Sequence, residues 1–386
     1  MTHDARSDAL PTGPANPSSC RVPAGGYFLL TLTLTLMLII GTIATAQDKG
    51  PADALWPLYQ EGRFEEVVTR GKALLATGTE TAAVNLAVGR SLVDLERPDE
   101  GLPYLEKAVN QDPARTWIYG WAQYYLGRAH WEQGQENRAR QAWLLCRDAQ
   151  TTRNATRSAA NSLTQYGLSE FFDGWQTFET EHFSFRFSDR LEDFDRVQYA
   201  RLHEEAYARI SDWFGGGPKR RIRFVVWSSQ AEADEAGLPT LGFSHPSLYL
   251  THTRVDQTLG HEMTHVISDH ARNPVVRTGL INEGIAVYHD LTGADKLALA
   301  RRVIAQQEPR PLRVSVPALW QDWSLAPNTF SYPLAGAFVK MLIDKGGKEK
   351  FLEFFPDQSY AHARQIYGDD LQGWIDDFEA KVYDTP

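Results

Sequence analysis

Hydrophobic and polar positions divide the chain into stretches of different period. Tyr27 to Ile43 is an uninterrupted run of Leu, Ile, Phe, Met and Thr with no charge, long enough for the apolar part of an export signal and marginal for a spanning helix. From about Ala52 to Tyr166 the pattern is helical throughout. After Gly174 the texture changes: Phe178 to Phe187 alternates polar with aromatic residues, as a half-buried strand does. Leu191 to Trp213 then reads as an amphipathic helix, followed by a Gly215-Gly216-Gly217-Pro218 turn and a second strand, Ile222 to Trp227. Ser247 to Thr251 predicts a third strand. Leu259, Met263, Val266 and Ile267 recur at helical spacing, with Asp256 as the expected cap and Asn273-Pro274 as the stop. A helix beginning at Ile281 and ending near Gly293, one opening around Phe330 and closing at Gly346-Gly347, and two more at Phe351–Phe355 and Leu371–Val382 complete the chain. Strands first and helices afterwards predict an α+β domain over 175–386, behind an all-α domain over 52–170.

Composition and charge narrow the setting. Two or three domains fit 386 residues. A net charge of -10 with no long basic run excludes nucleic acid as an expected partner. Ala44-Thr45-Ala46 resembles a small-residue cleavage site at the end of the apolar run. The preceding residues are only weakly basic, so two readings of residues 1–46 stay open: a cleaved signal peptide, or an uncleaved membrane anchor through 27–43. Either predicts an exported protein, periplasmic or extracellular. The two cysteines, Cys20 and Cys146, flank the end of that segment and leave Cys146 alone in the remainder. That excludes a disulfide scaffold and a multi-cysteine metal site.

The helical region carries a weak internal repeat. Glu61-Gly62-Arg63-Phe64, Leu95-Glu96-Arg97-Pro98 and Gln133-Gly134-Gln135-Glu136 occupy equivalent turns, recurring at 34 and then 38 residues. Small residues at Gly89 and Gly127 precede the last two turns, where paired helices approach. These features resemble tetratricopeptide repeats, which implies a TPR-like helical solenoid and a surface that can recruit a protein partner. A generic helical hairpin bundle is the plainer alternative. The aromatic stretch Trp117, Tyr119, Trp121, Tyr124, Tyr125 and Trp131 is expected to be helix-packing core rather than a ligand platform.

The chemistry centres on His261-Glu262-Met263-Thr264-His265. Two histidines four apart on a helix project from one face and can bind one metal ion, with the glutamate between them at the same site. Catalytic zinc ordinarily has three protein ligands and one position for water. A third histidine six residues on is ruled out, because Ser268 and Ala271 stand where that class needs Gly and His. The other common solution is a glutamate on a following helix, and Glu283 lies eighteen residues beyond His265 in Asn282-Glu283-Gly284-Ile285-Ala286-Val287-Tyr288.

Together these stretches resemble the peptidase MA-like branch of the gluzincins, zinc peptidases related in fold to thermolysin. The resemblance covers about Phe178 to the C-terminus, with its diagnostic motifs between Leu259 and Tyr288. It implies a gluzincin-like domain in which one Zn2+ is held by His261, His265 and Glu283, with Glu262 as general base. In such enzymes a tyrosine or histidine from a downstream helix stabilises the oxyanion. Tyr332 is the candidate here, with packing beneath the metal helices as its alternative role. Asp290, seven residues after Glu283, either orients a ligand histidine or is a helix-end carboxylate, the second being favoured. His182, His203, His245 and His252 are expected to be packing or surface groups.

The expected activity is therefore that of a zinc metalloprotease acting on peptide or protein substrates. The alternatives are a non-catalytic exported binding protein with a structural metal domain, and a hydrolase acting on another acyl bond.

Overall fold

The computed structural model describes residues 50, 52–79, 81–306 and 313–384. The apolar run 27–43, the cleavage motif at 44–46 and Cys20 lie outside the described residues. No helix among the described residues is long and apolar enough to cross a membrane. The chain divides into two compact units, parted in sequence between Leu163 and Thr164.

The first unit holds seven helices: α1 (Leu55–Gln60), α2 (Phe64–Ala76), α3 (Ala82–Asp94), α4 (Pro98–Asn110), α5 (Trp117–Glu132), α6 (Glu136–Ala149) and α7 (Arg153–Gln165), the last running through the division. The sequence repeat is reproduced in the backbone. The turns α1–α2, α3–α4 and α5–α6 each carry the same helix-end bond across five residues, Arg63 N to Leu58 O at 3.0 Å, Arg97 N to Leu92 O at 2.9 Å and Gln135 N to His130 O at 2.8 Å. In each, the residue before the donor is left-handed, Gly62, Glu96 and Gly134 in turn. The aromatic stretch is mostly core, since Tyr119, Trp121, Tyr125 and Trp131 are buried and only Trp117 is well exposed. The Arg90 guanidinium lies over the rings of Tyr59, Trp121 and Tyr125 at 4.2, 4.7 and 4.8 Å.

The second unit is helix-rich around a small mixed sheet, as an α+β fold requires. Its strands are β1 (Gln176–Glu179), β2 (Phe183–Phe187), β3 (Ile222–Trp227), β4 (Phe243–His245) and β5 (Leu250–Arg254), in the order β1-β2-β3-β5-β4. β2, β3 and β5 are parallel and the two edge strands antiparallel. The parallel step from β2 to β3 needs a long crossover, supplied by α8 (Arg196–Phe214). Phe183, Phe185, Phe187 and Phe224 line one face of the sheet and are fully or almost fully buried.

Sequence periodicity misplaces several of these elements. Phe178–Phe187 is two strands, because Thr180 N donates to Phe183 O at 2.9 Å and turns the chain back on itself. The third expected strand lies further on, at β5, since Pro246–Leu248 forms a 3-10 turn. β4, three residues long, is too short for any periodicity to show. Residues 166–175 belong with the sheet: Arg223 donates to Tyr166 O at 3.3 Å, and Trp175 packs edge-on against Trp227 with centroids 4.8 Å apart. This is why the division falls before 170.

The remaining elements are a short α9 (Gln230–Glu235), then α10 (His261–Arg272), α11 (Gly279–Tyr288), α12 (Lys296–Ala305), α13 (Val316–Gln321), α14 (Asn328–Gly346), α15 (Lys348–Phe354), α16 (Tyr360–Tyr367) and α17 (Asp370–Tyr383). Asp256 does not cap α10. It accepts from Arg254 Nε at 2.7 Å in the preceding turn, and Gly260 takes the N-cap position with φ 97°. A side chain at Gly260 would be strained by that φ and would stand 2.6 Å from His289 O. The glycine thus lets α10 begin at the first histidine, against the end of α11.

α11 and α14 approach through small residues. A Cβ on Gly284 would lie 2.7 Å from Ala335 O and 2.6 Å from Val339 Cγ2, and one on Gly336 would lie 2.4 Å from Val287 Cγ1. Replacing Gly284 with Ala should therefore push the helices apart and destabilise the unit by about 1–3 kcal/mol, the usual cost of overpacking. Chemical denaturation of the two proteins measures this, and an unchanged midpoint would show that the α11–α14 spacing is not tight.

Candidate metal centre

Three elements bring the site together. α10 presents His261 and His265 one turn apart, and α11, pressed against α14, presents Glu283 from its first turns. One ligand atom from each of the three residues can be chosen so that all lie within 4.8 Å of one another. The Nε2 atoms of His261 and His265 are each 3.4 Å from the same Glu283 oxygen, Oε2. A charge-assisted hydrogen bond would draw such pairs to about 2.7–2.9 Å. Donors about 2.0–2.2 Å from a tetrahedral ion stand about 3.4 Å apart, which is the separation seen. Two imidazole nitrogens and a carboxylate oxygen, with no thiolate, therefore form a group that could hold one metal ion.

The charges are mutually adjusted. Burial opposes the charge on Glu283, yet its contacts with His261 and then His265 hold the carboxyl well below the usual carboxylate range. Burial likewise opposes protonation of His265, and the Glu283 carboxylate outweighs it, so this imidazole sits above its ordinary value. Asn282, next to Glu283, places its amide 3.2 Å from His265 Nδ1. The facing atom is the amide nitrogen Nδ2, which donates to Nδ1 and orients the ring. With Nε2 as a ligand Nδ1 carries the proton, and the Asn282 amide turns over so that its oxygen accepts from it.

Glu262 is buried on the same turn of α10 as His261. Ser244, on the edge strand β4, has its hydroxyl 2.9 Å from Glu262 Oε2, 2.9 Å from the Glu262 carbonyl and 2.9 Å from Thr251 Oγ1. The hydroxyl thus ties the carboxylate, the helix and the sheet edge together. Tyr332, in the second turn of α14, lines the same cavity, with its ring centroid 5.8 Å from that of His261. Burial, and then the negative charges of Glu283 and Glu262, push its phenol up to about 12. It is therefore a neutral hydrogen-bond donor at ordinary pH. The cavity, about 290 Å³, is also lined by Arg277, which pairs with Asp269.

The other singled-out residues fall elsewhere. Asp290 is a helix-end carboxylate, bound by Lys296 Nζ at 2.5 and 2.7 Å rather than by a histidine of the site. His252 is fully buried in β5, accepting from Trp227 Nε1 at 3.0 Å, and burial lowers its pKa to about 4. His203 packs among Phe183, Phe185 and Tyr199. His182 faces Glu204 at 2.6 Å, and His245 is half-buried beyond Ser244. Sequence reasoning missed Ser244, Arg277 and the role of Asn282. Only Asn282 carried a signal, since it adjoins Glu283 in the motif.

Neither a protein-family model nor a curated protein sequence matches this chain.

The His–Glu coupling predicts how the metal-free protein responds to pH. Glu283, depressed on folding, contributes stability above its unfolded value of about 4.5, and the contribution is lost as pH falls through the folded value. His265, raised on folding, contributes below about 6.5 and the contribution is lost as pH rises through its folded value. After chelation, the coupling should help most between those two values. Glu283→Gln should remove that local maximum from the denaturation midpoint plotted against pH, and an unaltered curve would refute the coupling.

Proposed function

We propose that the second unit is a zinc-dependent peptidase of the gluzincin type. The observation that carries this reading is the pair of 3.4 Å separations from Glu283 Oε2 to the two histidine nitrogens, in a cavity that also holds Glu262 and Tyr332. Zn2+ is the ion best suited to this nitrogen and oxygen donor set, and when bound it supplies Lewis acidity that acidifies water and polarises a carbonyl. His261, His265 and Glu283 would hold it.

The chain's own groups then take definite parts. Glu262 accepts a proton from the attacking water and delivers it to the leaving amine nitrogen. Ser244, hydrogen-bonded near Oε2, keeps that carboxylate turned toward the cavity. Asn282 holds the His265 ring in the orientation that points Nε2 at Glu283. Tyr332 donates its phenolic proton in a hydrogen bond to the oxyanion that develops on the scissile carbonyl. The helical unit, read as TPR-like, is proposed to recruit a protein partner or substrate, in a protein exported through its N-terminal segment.

Purified protein should carry about one equivalent of zinc and digest a mixed peptide library, and chelation should abolish digestion. Glu262→Gln should retain the zinc while losing cleavage by at least about a thousandfold. Full activity in that variant would eliminate Glu262 as the base. Bound zinc with no hydrolysis of any peptide would instead favour a structural metal domain.

Tyr332→Phe should lower turnover about a hundredfold and change KM little, because its bond strengthens only as the oxyanion forms. An equal loss confined to KM would assign the tyrosine to substrate binding.

A further inference from the structure

Beside the metal cavity lies a second one of about 390 Å³, and the two share His261 and Tyr332 as a common wall. Its floor is apolar and half-buried, made by Leu299 and Val303 of α12 and Pro333 of α14. Two cationic side chains reach it. Lys296 is fully occupied, with its Nζ 2.5 Å from Asp290 Oδ2 and 2.7 Å from Thr292 Oγ1. Arg302 is different: it lines the cavity, is exposed at its rim, and has no acidic or hydrogen-bonding partner among the described residues. Asp290, the carboxylate in the lining, is neutralised by Lys296. Among the described residues the pocket therefore offers an apolar stem site and one guanidinium without a partner.

That combination suits a side chain with a short aliphatic stem ending in a carboxylate. We infer that this cavity is a specificity pocket for an acidic residue, glutamate above all, next to the bond that is cleaved. The inference rests on the peptidase reading for the word cleaved, and on the cavity alone for its acid preference. A carboxylate is bound by a guanidinium through paired, planar hydrogen bonds that a neutral amide does not reproduce. The apolar floor accepts the methylene groups and leaves the charged end at the rim, where Arg302 sits. A lysine side chain would bring a second cation to the same rim and is disfavoured.

Binding separates this inference from the activity it rests on. Two blocked pentapeptides, acetyl-Ala-Ala-Glu-Ala-Ala-amide and its Gln counterpart, are titrated into the zinc-loaded Glu262→Gln protein at low salt. The Glu peptide should bind roughly tenfold more tightly. Adding Arg302→Ala should bring the ratio close to one, and Arg302→Glu should turn the preference toward the Lys counterpart. Arg302 is exposed, so these changes leave the fold in place, which circular dichroism checks. Equal or absent binding of both peptides, or a Glu preference that survives Arg302→Ala, overturns the pocket. The same peptides given to the zinc-loaded wild-type protein report on the other reading. Arg302-dependent binding with no cleavage would sink the peptidase and keep the pocket, whereas cleavage indifferent to Glu would do the reverse.

Discussion

The close contact between α11 and α14 is the constraint on which the candidate site depends. Glu283 can stand 3.4 Å from both histidine nitrogens only if its helix is held at a fixed height beside α10. That height is set where α11 meets α14, with Gly284 against the backbone of Ala335 and Gly336 against Val287. A single methyl group at either glycine would exceed the available space, and packed interiors transmit such displacements rather than absorb them. The same contact carries Tyr332 on α14 to the cavity. Gly260 plays the corresponding part for α10, fitting under His289 O in a conformation that other residues adopt at a cost.

Electrostatics then acts on groups that packing has already brought together. The part-buried Glu283 carboxylate and His265 imidazole would each resist charging if isolated, so their proximity is what makes the charged forms tolerable. Glu283 Oε2 stands 3.4 Å from each of the two histidine Nε2 atoms, and the three residues form a group that could hold an ion. The charged groups around them are disposed of locally: Asp290 takes Lys296, and Arg277 takes Asp269. Arg302 lines the adjoining cavity without such a partner among the described residues, and this contrast gives the adjoining cavity its chemical character.

The long periodic elements were legible in the chain, and the short ones were not. α10, α14 and β3 announce themselves because enough residues repeat for a period to show. β4 has three residues, and its place at the sheet edge is decided by pairing with β5, which no local pattern encodes. The hairpin inside Phe178–Phe187 was hidden for a related reason, since its turn is only Thr180-Glu181-His182, with no Gly or Pro to mark it. At α10 the expected cap failed because Asp256 had a nearer partner in Arg254 and Gly260 was required by a distant carbonyl.

By itself the sequence determined the chemical inventory: two histidines one helical turn apart, an intervening glutamate, and a glutamate placed for the next helix. Helical periodicity is local, so spacing alone puts the first three on one segment. It also carried the turn repeat of the first unit, because turn residues and left-handed positions are chosen locally. Tertiary structure decided everything that needs a distance between segments. It brought Glu283 to the histidines, joined Ser244 to Glu262, set Asn282 beside His265 Nδ1, turned Tyr332 to the cavity and left Asp290 to Lys296. Those outcomes depend on side-chain volumes meeting across helices far apart in sequence, which a one-dimensional pattern does not contain.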